Sequence, residues 1–173
     1  MKVLVVVDMQ HDFVDGALGS QDAQAIVPAV ADKIARYEAS GDYIVFTRDT
    51  HKENYLETQE GRNLPVPHCI RGTQGWQILE DLHSSVHPVV DKVTFGSRQL
   101  PEILEKTFSG GSMDSIELIG LCTDICVISN AMVLKAFFPE VPILVDAACC
   151  AGVSPQSHET ALSAMKACQI TIL

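Results

Sequence analysis

The sequence predicts an α/β fold, a three-layer αβα sandwich around a six-stranded, mostly parallel, Rossmann-like sheet. Three observations carry this. Short apolar runs alternate with segments of helical period along all 173 residues, the pattern of parallel strands joined by right-handed crossovers. The first run, Val3, Leu4, Val5, Val6 and Val7 after Lys2, is largely β-branched and unbroken by polar residues, as in a strand covered on both faces. Neither an internal repeat nor a linker interrupts the alternation, and the length suits one domain over residues 1–173 with a sizeable core.

In order, residues 2–7 form the first strand. Residues 23–39 place Ile26, Val30, Ile34 and Tyr37 at helical spacing, with Pro28 among them expected to mark a late helix start. After a break at Gly41 and Asp42, residues 43–47 form the second strand and run into Arg48, Asp49, Thr50 and His51. Residues 52–75 are polar, with several Gly and Pro and no clear period; so long a loop in a compact domain is usually functional. Residues 76–82 are a short helix candidate and residues 87–92 a third strand. Residues 100–108 make a helix with Pro101 in its first turn. Residues 115–119 are the fourth strand, followed by a helix to about Phe138, with Thr123 or Asp124 as its N-cap. Residues 141–145, 155–167 and 169–173 complete the pattern as strand, helix and strand.

A formal charge of −10 argues against nucleic acid and anionic membrane surfaces as partners and leaves a small-molecule substrate. No run is long enough to span a bilayer, and the first strand ends in Asp8 rather than at a small-residue cleavage site. Six cysteines without disulfide or CxxC zinc spacing complete the expectation of a cytoplasmic protein.

In parallel sheets, functional groups gather at the carboxyl ends of the strands. Asp8 ends the first strand, Lys92 ends the third and Cys126 follows the fourth. At the start of a helix, Cys126 would meet unpaired N–H groups and the positive end of the dipole, both of which favour a thiolate. Lys92 would hold that thiolate charged, and Asp8 would accept and return the proton. The same residues also fit a strand-end ion pair beside a buried structural cysteine.

Three stretches decide between these. Residues 5–13 (VVVDMQHDF), Asp91-Lys92, and residues 120–127 (GLCTDICV) occur in the order in which the isochorismatase-like cysteine hydrolases carry their motifs, and the chain resembles the nicotinamidase (pyrazinamidase) branch of that family. The resemblance covers essentially the whole chain. It implies an isochorismatase-like fold, a catalytic Asp8, Lys92 and Cys126, a cis peptide before Cys122, and an oxyanion hole of the Cys122 and Cys126 N–H groups. It further implies hydrolysis of nicotinamide to nicotinate through a thioester, a place in NAD salvage, and a homo-oligomer, dimer or tetramer.

Asp49 and His51 point to one side of an extended segment, and Glu60 and His68 lie downstream in the long loop. Two imidazoles and two carboxylates suit one divalent cation, Zn²⁺ first, with Mn²⁺ or Fe²⁺ as alternatives. The resemblance strengthens this set, since nicotinamidases carry Asp-x-His here and a further His in a proline-rich segment, matched by Pro65-Val66-Pro67-His68. Glu53 and Glu57 rival Glu60 for the last position. His11, His83, His87 and His158 read as surface or structural. Gln10, Phe13 and Phe95 are candidate substrate contacts; Pro65 stands where the family often places a large aromatic. Two other readings keep the same motifs: an amidohydrolase of another small amide, such as an N-carbamoyl or ureido compound, and a non-catalytic binding subunit.

Overall fold

The computed structural model describes every residue except Ser84. Six strands form one sheet in the order β3-β2-β1-β4-β5-β6: β1 Lys2–Val7, β2 Tyr43–Asp49, β3 Val89–Lys92, β4 Ser115–Leu121, β5 Ile143–Ala151 and β6 Thr171–Ile172. All neighbouring pairs are parallel. The helices are α1 His11–Val14, α2 Gln21–Ser40, α3 Gln59–Asn63, α4 Gln99–Thr107, α5 Ile128–Phe137 and α6 Pro155–Ala167.

Strand β1 explains the layering. Val3, Val5 and Val7 face one apolar cluster, which takes Leu100 and Leu104 from α4, Leu134 from α5 and Met165 from α6. Leu4 and Val6 face the other, with Ile26, Val30 and Ile34 of α2. The period-two alternation thus feeds two cores, and Val3 to Val7 have no exposed surface.

Four expectations are corrected. Helix α2 starts at Gln21 and carries Pro28 in its interior. The Ser20 hydroxyl caps it by accepting from Ala23 N–H at 3.0 Å, and the buried face from Ala23 to Tyr37 outweighs the hydrogen bond that proline removes. Residues 76–82 are not a helix. Trp76 is held by its indole N–H donating to Thr50 Oγ1 at 2.8 Å, and Ile78 makes an antiparallel bridge with Gln10. Strand β5 runs on to Ala151, past a register shift against β4 between Leu118 and Gly120; polar and small residues there hid it. Neither Thr123 nor Asp124 caps the helix of the nucleophile. Residues Thr123–Val127 form a π-helical turn before α5, with Cys122 at the cap position and no side-chain cap bond. Thr123 Oγ1 instead meets His158 Nδ1 at 2.8 Å, and Asp124 Oδ1 accepts from Val153 N–H. The long loop holds a 3₁₀ turn, Tyr55–Glu57, as well as α3.

Candidate active site

Strand order brings the three predicted groups together. β1 and β4 are neighbours, and β3 joins them across the end of β2. In the β2–β3 ladder Asp49 is paired with Lys92, so the Lys92 ammonium lies at the centre of the sheet edge. Lys92 Nζ is 2.7 Å from Asp8 Oδ2 and 3.2 Å from Asp49 Oδ1, and donates to Cys126 Sγ at 3.4 Å. Asp8 is fully buried and Lys92 3 % exposed.

Asp8 turns off β1 at φ 49°, a conformation that non-glycine residues adopt only where surroundings impose it. Its backbone N–H donates to Thr47 O, and its Oδ1 accepts from Thr47 Oγ1 at 2.7 Å. Oδ2 accepts no aligned hydrogen bond; its contact with Lys92 is one of charge. Burial raises the Asp8 pKa above the usual carboxylate range, and the attraction of Lys92 offsets this only in part. Burial works to discharge Lys92, but Asp8, Cys126 and Asp49 outweigh it and hold the ammonium charged well above its ordinary range. Burial and the Asp8 charge push the Cys126 thiol well up, against Lys92. Desolvation thus opposes the helix start and Lys92, which favour the thiolate, and Asp8 stands where it can take the thiol proton.

Next to Cys126, the backbone supplies donors. Gly120 sits at φ 114°, and a Cβ there would overlap the Val7 carbonyl oxygen, so the close approach of β4 to β1 requires glycine. The Leu121–Cys122 peptide is cis, as expected. The Cys122 carbonyl then accepts from Ile125 and Val127 N–H, each at 3.0 Å. It passes over the Cys126 N–H between them.

The four candidate metal ligands also converge. Asp49, His51, Glu60 and His68 each offer an atom within 4.8 Å of all the others. Of the glutamates weighed for the last position, Glu60 belongs to this group, while Glu53 and Glu57 are exposed. Two features fit a cation. His51 Nε2 is buried without a hydrogen bond, although Asp49 Oδ2 lies 2.9 Å away. His68 Nδ1 is 2.8 Å from Val66 O, a bond that places the proton on Nδ1 and frees Nε2 as a ligand.

Cys126 of the first set and Asp49, Glu60 and His68 of the second line one cavity of about 430 Å³, together with Phe13, Leu64, Phe95, Leu121 and Cys122. Phe13 and Phe95 are thus placed as expected, Phe13 with its ring 5.5 Å from that of His68. Pro65 is exposed and outside the lining, to which its neighbour Leu64 contributes. Gln10, expected among the substrate contacts, is fully buried and outside the lining. Its amide donates to the carbonyls of Asp49 and Trp76 and accepts from Asp49 N–H, so it fixes the main chain of Asp49 from below. His11, His83, His87 and His158 all lie outside the metal-ligand group.

Two residues escaped the sequence reading. Thr47 is legible only once the β1–β2 register is known. Asn130 left a signal: it lies four residues after Cys126, on the same helix face, as a polar residue in an apolar run. It has no exposed surface. It donates to the carbonyls of Cys126 at 2.8 Å and Phe95 at 3.2 Å, and accepts from Ser97 N–H at 2.9 Å. One buried amide thereby ties the nucleophile turn to the loop that carries the Phe95 wall.

The profile of the Isochorismatase domain matches residues 2–173. The chain is 26% identical over its whole length to a nicotinamidase/pyrazinamidase of Mycobacterium tuberculosis, covering 98% of that protein. Its fold superposes on the pyrazinamidase of Pyrococcus horikoshii, crystallised in complex with zinc, with a TM-score of 0.87 at 28% identity, covering 99% of this chain and 98% of that one. A pyrazinamidase/nicotinamidase of Streptococcus mutans gives 0.86 at 29% identity, with both chains fully covered.

Proposed function

The chain belongs to the isochorismatase family, within its nicotinamidase branch, and from that premise we propose that it is an amidohydrolase converting nicotinamide to nicotinate and ammonia. The observation that carries this is one cavity lined both by Cys126, which Lys92 contacts, and by Asp49, Glu60 and His68 of the ligand set.

Held by those four residues, a divalent cation, zinc by this donor chemistry, would supply a Lewis-acid contact for the pyridine nitrogen. Phe13 and Phe95 line the ring's space, and the carboxamide carbon meets Cys126. As Sγ attacks, its proton passes to Asp8, whose raised pKa makes it a better base than an ordinary carboxylate. The Lys92 ammonium, at 3.4 Å, holds the sulfur's developing negative charge. The carbonyl oxygen becomes an oxyanion in reach of the Cys122 and Cys126 N–H groups, and losing one such donor costs about 2.7–4 kcal/mol of barrier. Asp8 returns the proton to nitrogen, the C–N bond breaks, and ammonia leaves a thioester. Water then attacks the thioester carbon and gives its proton to Asp8. The C–S bond breaks, nicotinate departs, and Asp8 reprotonates the sulfur.

The test is ammonia release from nicotinamide by purified protein before and after chelation. Release lost on chelation and restored by Zn²⁺, Mn²⁺ or Fe²⁺ supports both the reaction and the cation. No release from metal-loaded protein overturns the nicotinamide assignment and turns the search to N-carbamoyl and ureido compounds.

We read residues 1–173 as one such domain, acting in the cytoplasm and serving NAD salvage. Six free thiols support a reducing compartment, and among the described residues no helix is long and apolar enough to cross a membrane. Phe137, 52 % exposed at the end of the apolar helix α5, supports a homo-oligomer, which light scattering would test.

A further inference from the structure

The chain reverses immediately after His68. Cys69 sits at φ 49°, a left-handed conformation that a residue other than glycine keeps only where contacts enforce it. Both polar groups of its main chain are engaged. The Cys69 N–H donates to Asp12 Oδ2 at 2.7 Å, and the Cys69 carbonyl accepts from His51 N–H at 2.9 Å. Arg71 N–H donates to the His51 carbonyl at 2.9 Å, and Ile70 forms a parallel bridge with His51. The segments that carry the two imidazoles, whose rings lie 5.0 Å apart, are therefore stitched to each other at Cys69.

Asp12 brings a carboxylate to that junction from α1. A charged acceptor binds a main-chain N–H more tightly than a neutral one does. Space is kept for it: Gly75 O accepts from Asp12 N–H at 3.0 Å, and a Cβ on Gly75 would overlap the Asp12 carboxylate. Next along α1, Phe13 places its ring 5.5 Å from that of His68, so two consecutive residues hold the imidazole and the peptide that follows it. Asp12 lies outside both the cavity lining and the ligand group, so it acts through other residues. We infer that Asp12 is a positioning residue of the candidate cation site: by holding the Cys69 peptide, it fixes His68 against His51 at the spacing at which one divalent cation meets both. This inference rests on the cation reading given above.

The test reads zinc affinity on chelator-stripped protein, by competition with a chromophoric chelator. The visible spectrum of the Co²⁺-loaded protein reports ligand geometry beside it. Asp12→Ala should bind zinc roughly tenfold to a hundredfold more weakly, the scale on which outer partners of ligands act, and should change the Co²⁺ bands. Asp12→Asn, which retains an oxygen to accept from Cys69 N–H, should fall between that variant and the unsubstituted chain. Gly75→Ala displaces the carboxylate from the other side; it should weaken zinc in the same way, and it decides the question if Asp12→Ala fails to fold. Lys33→Met, which loosens a charged cluster outside the lining and the ligand group, should bind zinc as the unsubstituted chain does. Affinity and Co²⁺ bands unchanged in folded Asp12→Ala, or an equal weakening in Lys33→Met, overturns the inference. Failure of zinc to bind the unsubstituted chain overturns the cation reading and this inference with it. Ammonia release plays no part in the readout, so a chain that binds zinc yet leaves nicotinamide intact loses the amidohydrolase assignment alone.

Discussion

Cys126 buries a thiol beside a carboxylate and an ammonium, and each neighbour has a separate consequence for rate. Replacing it, Cys126→Ala, should lower ammonia release by more than about a thousandfold with an unchanged melting temperature; comparable turnover in the variant would disprove the nucleophile. Asp8 must be ionised to take the thiol proton, so kcat/KM should fall as pH drops through its pKa. That acid limb should lie above the ordinary aspartate range, because burial outweighs Lys92. The Thr47 hydroxyl works in the opposite direction, lowering the Asp8 pKa, so Thr47→Val should move the limb further up. A pH profile unchanged in that variant would remove Asp8 as the base. Asn130→Asp keeps the acceptor for Ser97 and loses both donors, to Cys126 and Phe95. We expect kcat to fall roughly tenfold to a hundredfold, the scale of a small misplacement of a reacting group. Slower alkylation of Cys126 at unchanged metal content would separate positioning from general loosening.

The turn between β4 and α5 is built by what surrounds it. Gly120→Ala sets a side chain into φ 114° and into the Val7 carbonyl, and should cost about 2–6 kcal/mol from backbone strain and overpacking together; a denaturant midpoint close to that of the unsubstituted chain would refute this. On the opposite face, α2 is pinned by Lys33, whose ammonium reaches Glu117 at 2.6 Å and Asp146 at 2.8 Å, while Tyr37 O–H donates to Glu117. Lys33→Met leaves two carboxylates facing each other and should cost about 2 kcal/mol, less than a fully buried pair because Lys33 keeps some water contact. Burial raises the Asp146 pKa, but Lys33 outweighs it and the net shift is down. The folded chain therefore binds that proton less readily than the unfolded one. This contribution is full above the ordinary carboxylate range and lost as pH falls through the folded pKa, so the gap between the two proteins in urea should narrow in acid. These elements were legible to different degrees. Lys2–Val7 announces itself because both faces are apolar. The far half of β5 does not, because Asp146 faces Lys33 and the neighbouring residues are small.

At the scale of the molecule, the candidate metal-ligand set joins β2, α3 and the segment reaching His68, already tied by a parallel bridge between His51 and Ile70. A cation at a hundred times its dissociation constant would add about 2.7 kcal/mol, which for a chain of this size corresponds to roughly 5–10 °C in melting temperature. His51→Ala should abolish that rise and lower the metal content; an equal rise in the variant would place the cation elsewhere.

By itself the sequence determined the layered α/β class, because periodicity records which faces are buried. It also determined the triad candidates and the ligand candidates Asp49, His51 and His68, because each stands at a strand end or in a motif of fixed spacing. Only the tertiary structure decided how they act. Strand order set Lys92 between Asp8, Asp49 and Cys126, and burial raises the Cys126 thiol pKa against the pull of Lys92. Contacts across the fold moved Gln10 from the cavity wall to the support of Asp49, brought Glu60 rather than Glu53 or Glu57 beside Asp49, His51 and His68, and gave Thr47 and Asn130 their hydrogen bonds. The physical reason is range. Local patterning reflects a residue's own segment, whereas desolvation, charge and hydrogen bonding at this site depend on groups from β1 to α5 that meet only after the sheet has assembled.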